Sequence, residues 1–154
     1  MITTTTYSQR DPRWSRNKMG RTNNRIGDFG CTITSLCNLL NSKGYTETPA
    51  TVNSKLSRGG GYSGALLLWS AVPRIWPRLK FNGRGYNYDN VKVSWYVYIK
   101  KLPVMVEVNG ASIGGSRHWV LFIGGGKMID PWTGTVRNTN VYPLTGYSLY
   151  DIVA

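Results

Sequence analysis

The sequence holds a single histidine, His118, and only two cysteines, Cys31 and Cys37. A zinc site needs three or four His, Cys or carboxylate ligands, so this scarcity argues against a zinc enzyme or a zinc finger. It argues against a disulfide framework too. On one helix, six residues would separate Cys31 and Cys37 by roughly 9 Å along the axis and about 240° around it. A bridge needs Cα atoms closer than about 7 Å. Two free thiols are therefore expected, with no dependence on an oxidising compartment. No cofactor is called for.

Acidic residues are equally scarce. Seven Asp and Glu face nineteen Lys and Arg, for a formal net charge of +12. Such an excess favours contact with a polyanion: nucleic acid, anionic cell-wall polymer or acidic lipid headgroups. Long apolar runs are missing. Ala65-Leu66-Leu67-Leu68-Trp69 falls far short of the roughly 20 residues of a membrane span. Met1 to Thr6 has neither a basic nor an apolar region, so a secretory signal is not expected. Synthesis in the cytoplasm follows, with any release to the cell wall left to another device.

What is present fits one domain over residues 1–154, large enough for a single core. Thr3 to Thr6 is β-prone. Residues 7 to 30 are polar, rich in Arg, Asn and Gly, and read as an ordered loop. Ile33, Leu36, Cys37, Leu39 and Leu40 have helical spacing, predicting a helix from about Cys31 to Lys43 with Gly44 as its stop. Thr48 before Pro49 predicts an N-cap and a short helix to about Leu56. A third helical piece is expected from about Gly64 to Val72, ending before Pro73. Residues 90 to 101 are ambiguous, because Val91, Val93, Trp95, Val97 and Ile99 alternate as in a strand. From Pro103 the period is two: Val104 to Val108, Trp119 to Ile123, Lys127 to Ile129 and Tyr147 to Val153. Helices lead and strands follow, which predicts an α+β fold with an antiparallel sheet.

Chemistry concentrates at two points. Cys31 follows Gly30 where the first long helix begins, facing unpaired backbone N–H groups and the positive end of the helix dipole. Gly30 would let the chain turn sharply and admit a substrate to the backbone. Cys37, on the apolar face of that helix, reads as a small buried hydrophobe. His118 opens the run His118-Trp119-Val120-Leu121-Phe122-Ile123, and Gly124-Gly125-Gly126 turns the chain back toward Asp130. A three-residue loop would pair Ile123 with Lys127 and Val120 with Asp130. His118 and Asp130 then share one face as diagonal neighbours, roughly 7–8 Å apart between Cα atoms. A two-residue loop would place them on opposite faces. A thiol nucleophile, an imidazole base and an orienting carboxylate suit acyl transfer. The Cys31 N–H and the amide of Gln9 are candidate oxyanion donors.

These residues sit in four blocks: Tyr7-Ser8-Gln9-Arg10-Asp11-Pro12-Arg13-Trp14, Gly30-Cys31-Thr32-Ile33-Thr34-Ser35-Leu36, His118-Trp119-Val120-Leu121 and Ile129-Asp130-Pro131-Trp132. In this order the blocks resemble papain-like cysteine peptidases similar to the peptidase domain of bacteriocin transporters, which cut after double-glycine leaders. Connecting pieces fit as well, among them Thr48-Pro49, Gly60-Gly61-Tyr62 and Leu102-Pro103-Val104-Met105-Val106. The resemblance spans roughly residues 7 to 150. It implies a papain-like fold, N-terminal helices packed on a C-terminal antiparallel sheet. Cys31 is then nucleophile, His118 general base, Asp130 orienting acid and Gln9 the oxyanion-hole glutamine. It also implies a helix over residues 90 to 101, against the alternation. No transporter domain is expected beside this one, so the double-glycine substrate is not carried over.

Stand-alone enzymes of this type occur among phage and bacterial cell-wall hydrolases, which cut amide bonds in peptidoglycan. The expected partner is thus a peptide or peptidoglycan substrate, met by a monomer, with an anionic wall or membrane surface as a further contact. Gly30, Tyr62, Trp119 and Trp132 are candidate substrate-binding residues, and Tyr62 or Trp76 could stack on sugars. A second class is a basic nucleic-acid or virion-associated binding protein on a peptidase-like fold. Only the charge supports it, since no base-reading helix, zinc module or RNA-binding aromatic pair is found. No specific nucleic acid is expected.

Overall fold

The computed structural model describes residues 1 to 153 and has an α+β architecture. A short helix α1 (Ile26–Phe29) leads into α2 (Cys31–Ser42) and α3 (Pro49–Arg58). A two-stranded hairpin, β1 (Tyr62–Ser63) and β2 (Leu66–Leu67), is followed by a 3-10 turn and α4 (Val72–Ile75). Strand β3 (Leu79–Gly85) precedes α5 (Asn90–Ser94), which continues as a π-helical turn over Trp95–Ile99. The remaining strands are β4 (Val104–Asn109), β5 (Arg117–Gly124), β6 (Lys127–Asp130), β7 (Thr135–Asn138) and β8 (Leu144–Ile152). They join β3 in one antiparallel sheet of order β3-β8-β4-β5-β6-β7.

The sheet separates two cores, and side-chain parity on its central strands sets which residues enter each. Met105, Leu121, Ile123 and Ile129 face α2, where they meet Ile33, Leu36 and Leu40. Val104, Val106, Val108, Val120 and Phe122 face the other way, against Val93, Tyr96 and Val97 of the α5 segment. Both faces of β4 are therefore covered, and its five residues Val104 to Val108 are all buried. Each fully buried Leu, Ile or Val contributes about 1.5–3 kcal/mol over leaving it in water.

Helix α2 lies in the centre. It is enclosed nearly all round, and its polar residues accordingly make specific bonds. Asn38 Oδ1 accepts from the Thr5 hydroxyl at 2.8 Å and the Tyr7 N–H at 3.2 Å, and Asn41 Nδ2 donates to Thr5 Oγ1 at 3.1 Å. Ser35 Oγ donates to the Trp119 carbonyl at 3.3 Å. These bonds tie the N-terminal segment to one side of α2 and strand β5 to another.

Several expectations need correction. Thr3 to Thr6 forms no strand, because its hydroxyls bond to α2 rather than its backbone to a sheet partner. The helix expected over Gly64 to Val72 is instead the end of a hairpin and a 3-10 turn, with α4 running through Pro73. Proline is tolerated there because first-turn N–H groups have no intrahelical partner. Residues 90 to 99 are helical. Val93 and Val97 point into the core while Val91, Trp95 and Ile99 point out, so apolar residues on both sides of a helix imitate a strand's alternation. Strands β3 and β7 lacked an apolar alternation to announce them.

Candidate active site

Three segments converge at the N-terminus of α2. The first is the α1–α2 junction. Gly30 closes α1, its N–H donating to the Ile26 carbonyl at 2.7 Å, and Cys31 starts the next helix. Gly30 has φ −88°, so no left-handed turn requires glycine here. What requires it is space: a Cβ would meet the Ile26 carbonyl oxygen at 2.5 Å. Cys31 is half-buried, and its own N–H and the two after it lack intrahelical acceptors.

The second segment is the β5–β6 hairpin, which carries His118 and Asp130. Leu121 pairs with Ile129 and Phe122 with Met128, which continues to Val120 opposite Asp130. The turn itself is only Gly125-Gly126, but Gly124 pairs with Lys127 and the register shifts between Phe122 and Gly124. This bulge restores the register of a three-residue loop. All three glycines have positive φ, +91°, +67° and +70°, a conformation side chains resist. His118 and Asp130 thus share a face, and His118 Nε2 lies 2.8 Å from Asp130 Oδ1.

Asp130 is fully buried and its oxygens are saturated. Oδ1 also accepts from the Trp132 N–H at 2.9 Å, while Oδ2 accepts from the Tyr142 hydroxyl at 2.6 Å and Arg137 Nη1 at 3.0 Å. Burial alone would raise its pKa. The bonds from His118 and Tyr142 overcome this and hold the carboxyl at about 2. Burial likewise works to lower the pKa of His118, but the Asp130 hydrogen bond and the nearby Cys31 side chain raise it to about 9. With Nε2 committed to Asp130, Nδ1 is the ring nitrogen left uncommitted. Tyr142 packs edge-on against the imidazole at 5.5 Å between ring centroids and further limits its rotation.

The third segment brings Gln9. Its N–H donates to the Pro131 carbonyl at 2.8 Å, and Trp14 Nε1 donates to the Ser8 carbonyl at 2.7 Å. Gln9 is buried, and its Nε2 donates one proton to the Gly27 carbonyl at 3.2 Å. A primary amide carries two such protons. Gln9 lines the same cleft as Cys31 and His118, together with Trp132, Ser116 and Arg117; this cleft measures about 480 Å³. A second cleft of about 420 Å³ opens on the other side of Cys31, lined by Leu66, Trp69, Arg84, Tyr86 and Trp119 among others. Asp28, Phe29, Cys31 and Arg117 border both. Cys31 therefore sits at the middle of a groove.

Cys31, His118, Gln9, Trp119 and Trp132 line this groove, with Asp130 buried behind His118. Gly30 does not line it: it is buried and packs against Ile26. Nor does Tyr62. Its hydroxyl donates to Asn53 Oδ1 at 2.8 Å, and it lines a separate depression with Gly20, Arg21 and Leu56. Trp76 is buried and its indole N–H donates to Glu47 at 2.8 Å, so its ring offers no face to a sugar. Sequence reasoning missed Tyr142 and Arg137, which brace Asp130, and Arg84 and Tyr86 in the second cleft; none of these four stands in an apolar pattern or beside a nucleophile, so no local signal marked them. Trp69, which ends the apolar run from Ala65, also lines that cleft. Cys37 is buried in the core, its thiol pKa pushed up by burial and by the nearby Glu47.

No family model, curated protein or solved structure matches this chain.

Proposed function

We propose that the protein is a papain-like cysteine hydrolase that cleaves an amide bond through an acyl-thioester, with peptidoglycan peptides as substrate. The observation that carries this reading is the environment of His118. Its Nε2 is held by a buried, ionised Asp130, and its ring lines the same cleft as Cys31, which lies at the centre of an open groove. A structural histidine needs neither a thiol nor a groove.

The chemistry follows from the charges. An imidazole with a pKa of about 9 is protonated at neutral pH, so it acts first as an acid. Cys31 Sγ, its proton on His118, attacks the carbonyl carbon, and the carbonyl π pair moves to oxygen. The Cys31 N–H and the uncommitted proton of the Gln9 amide would receive that oxyanion. As the tetrahedral intermediate collapses, the C–N bond breaks and His118 gives its proton to the departing amine. The thioester remains on Cys31. Neutral His118 then takes a proton from water, whose oxygen attacks the thioester, and the thiolate leaves with His118 again protonated. Asp130 stays ionised throughout and stabilises the imidazolium at both stages.

The wall assignment draws on the net charge and on the resemblance of the four blocks. Mass spectrometry of soluble products from purified peptidoglycan, run beside a peptide library, tests it. A wall fragment released by the native protein and absent with Cys31→Ala is expected. Cleavage in the library alone would retain the hydrolase and discard the wall. Products from neither would leave a binding protein on this fold.

A further inference from the structure

The α5 segment carries a feature that the groove does not use. Val91, Trp95, Tyr98 and Ile99 are all exposed, by 49 to 79%. Their spacing of four, seven and eight residues from Val91 puts them in one stripe along the helix. The opposite face, Val93, Tyr96 and Val97, is buried against the sheet on the side away from α2. Beside Tyr98 the stripe continues into an apolar recess of about 150 Å³ lined by Tyr88, Val97, Phe122 and Leu144 among others. Lys127 lines this recess, and further lysines follow the stripe in sequence: Lys92 on the helix and Lys100 and Lys101 at its end, with Lys43 Nζ donating to the Lys101 carbonyl at 2.8 Å. Two acids are close. Asp151 pairs with Lys100 at 2.7 Å, and Asp89 caps the helix by accepting the Lys92 N–H at 3.1 Å. Lys92 and Lys101 have no ion-pair partner among the described residues.

We infer that this stripe is a docking surface for an anionic lipid bilayer, with Trp95 and Tyr98 at the headgroup level and Val91 and Ile99 below it. Three observations favour lipid. The apolar row is flanked by cations in a chain of net charge +12, matching an acidic headgroup layer. Its aromatics, Trp and Tyr, are the two side chains that prefer the water–hydrocarbon boundary. Four partly exposed side chains also fall short of the roughly 800 Å² that each partner gives a standard protein interface. An interfacial helix needs only a shallow apolar row and a charged rim. The surface involves none of the residues around Cys31, so lipid binding and hydrolysis are separable.

The experiment is sedimentation of the full chain with vesicles of phosphatidylcholine alone and vesicles containing one-third phosphatidylglycerol, at 0.05 and 0.15 M salt. The variants are Val91→Ser/Trp95→Ser/Ile99→Ser and Lys92→Gln/Lys101→Gln, each accepted only with a native thermal melt. The native protein and Cys31→Ala are expected to bind the anionic vesicles equally and the neutral ones far more weakly. The triple serine variant should lose at least tenfold in partitioning. The double glutamine variant should lose about fivefold per lysine on anionic vesicles, with less salt dependence. Unchanged partitioning of the triple variant would overturn the proposal, since net charge alone would then account for binding. Absence of native binding, or a native dimer that the triple variant dissolves, would also overturn it, the latter assigning the stripe to a second copy. Should the triple variant fail to fold, Trp95→Ser alone decides through the loss of fluorescence quenching by brominated phosphatidylglycerol.

Discussion

The first turn and the interior of one helix contain the same functional group and give it opposite circumstances. Cys31 begins α2, half-buried between two clefts, with the only histidine beside it. Cys37, less than two turns later, is fully buried among Ile33, Leu36 and Leu40. Its nearest polar partner is the Asn41 amide at 3.8 Å, and burial pushes its thiol pKa up. Reactivity therefore depends on where along the helix the sulfur lies: the first turn offers unpaired N–H groups and solvent, the interior neither.

The most drastic way to break this comparison is to remove each sulfur in turn. Cys31→Ala should lower hydrolysis by at least about a thousandfold, with little change in the melt. Cys37→Ala should cost about 1–2 kcal/mol of stability through the small cavity it leaves, with turnover nearly unchanged. Iodoacetamide at pH 7, read by peptide mass spectrometry, should label Cys31 at least a hundredfold faster than Cys37 in the folded chain. Equal labelling, or equal activity loss in the two variants, would remove the distinction and the nucleophile with it.

A smaller effect sharpens the role of the surroundings. Gln9 is anchored from three sides: backbone to Pro131, side chain to Gly27, and the preceding carbonyl to Trp14. Its remaining amide proton is uncommitted and, in the proposed reaction, would meet the oxyanion together with the Cys31 N–H. Gln9→Ala should reduce kcat about a hundredfold while KM changes little, because the bond strengthens only as charge develops. Gln9→Glu, of the same shape but the wrong charge, should be no better. A loss confined to KM would make Gln9 a ground-state contact instead.

How much of this was legible in the sequence follows physical range. Helix α2, its Gly44 stop and the Thr48 cap depend on neighbours within four residues, and the residue pattern announced them. The hairpin was legible because its consequence could be counted: two registers, opposite faces, one outcome. Yet the turn combined a two-residue loop with a bulge at Gly124, which counting loop lengths alone does not foresee. Tyr142 and Arg137 reach Asp130 from twelve and seven residues away across β7 and the turn after it, and only the folded sheet brings them there. The α5 segment was misleading for a different reason. A helix apolar on its outer as well as its inner side has no amphipathic period to read.

The pair that holds the imidazole also gives the finest test, through stability and pH. His118 has a folded pKa of about 9, above its ordinary 6.5, so its contribution is complete below pH 6.5 and is lost as pH rises through 9. Asp130 has a folded pKa of about 2, below its ordinary 3.8. Its contribution is complete above pH 3.8 and lost as pH falls through 2. Both are fully present only between pH 3.8 and 6.5. The net charge of +12 works against this, since self-repulsion eases as lysines lose protons at high pH. Comparing the native protein with Asp130→Asn cancels that background, which the two share apart from one charge. Urea titrations at pH 6 and pH 9.5 should show the native advantage over Asp130→Asn shrinking by on the order of 2 kcal/mol. The alkaline limb of hydrolysis should shift below pH 9 in the same variant, because a neutral amide no longer holds the proton on the ring. Parallel stability curves with an unmoved limb would mean that Asp130 positions His118 without charging it.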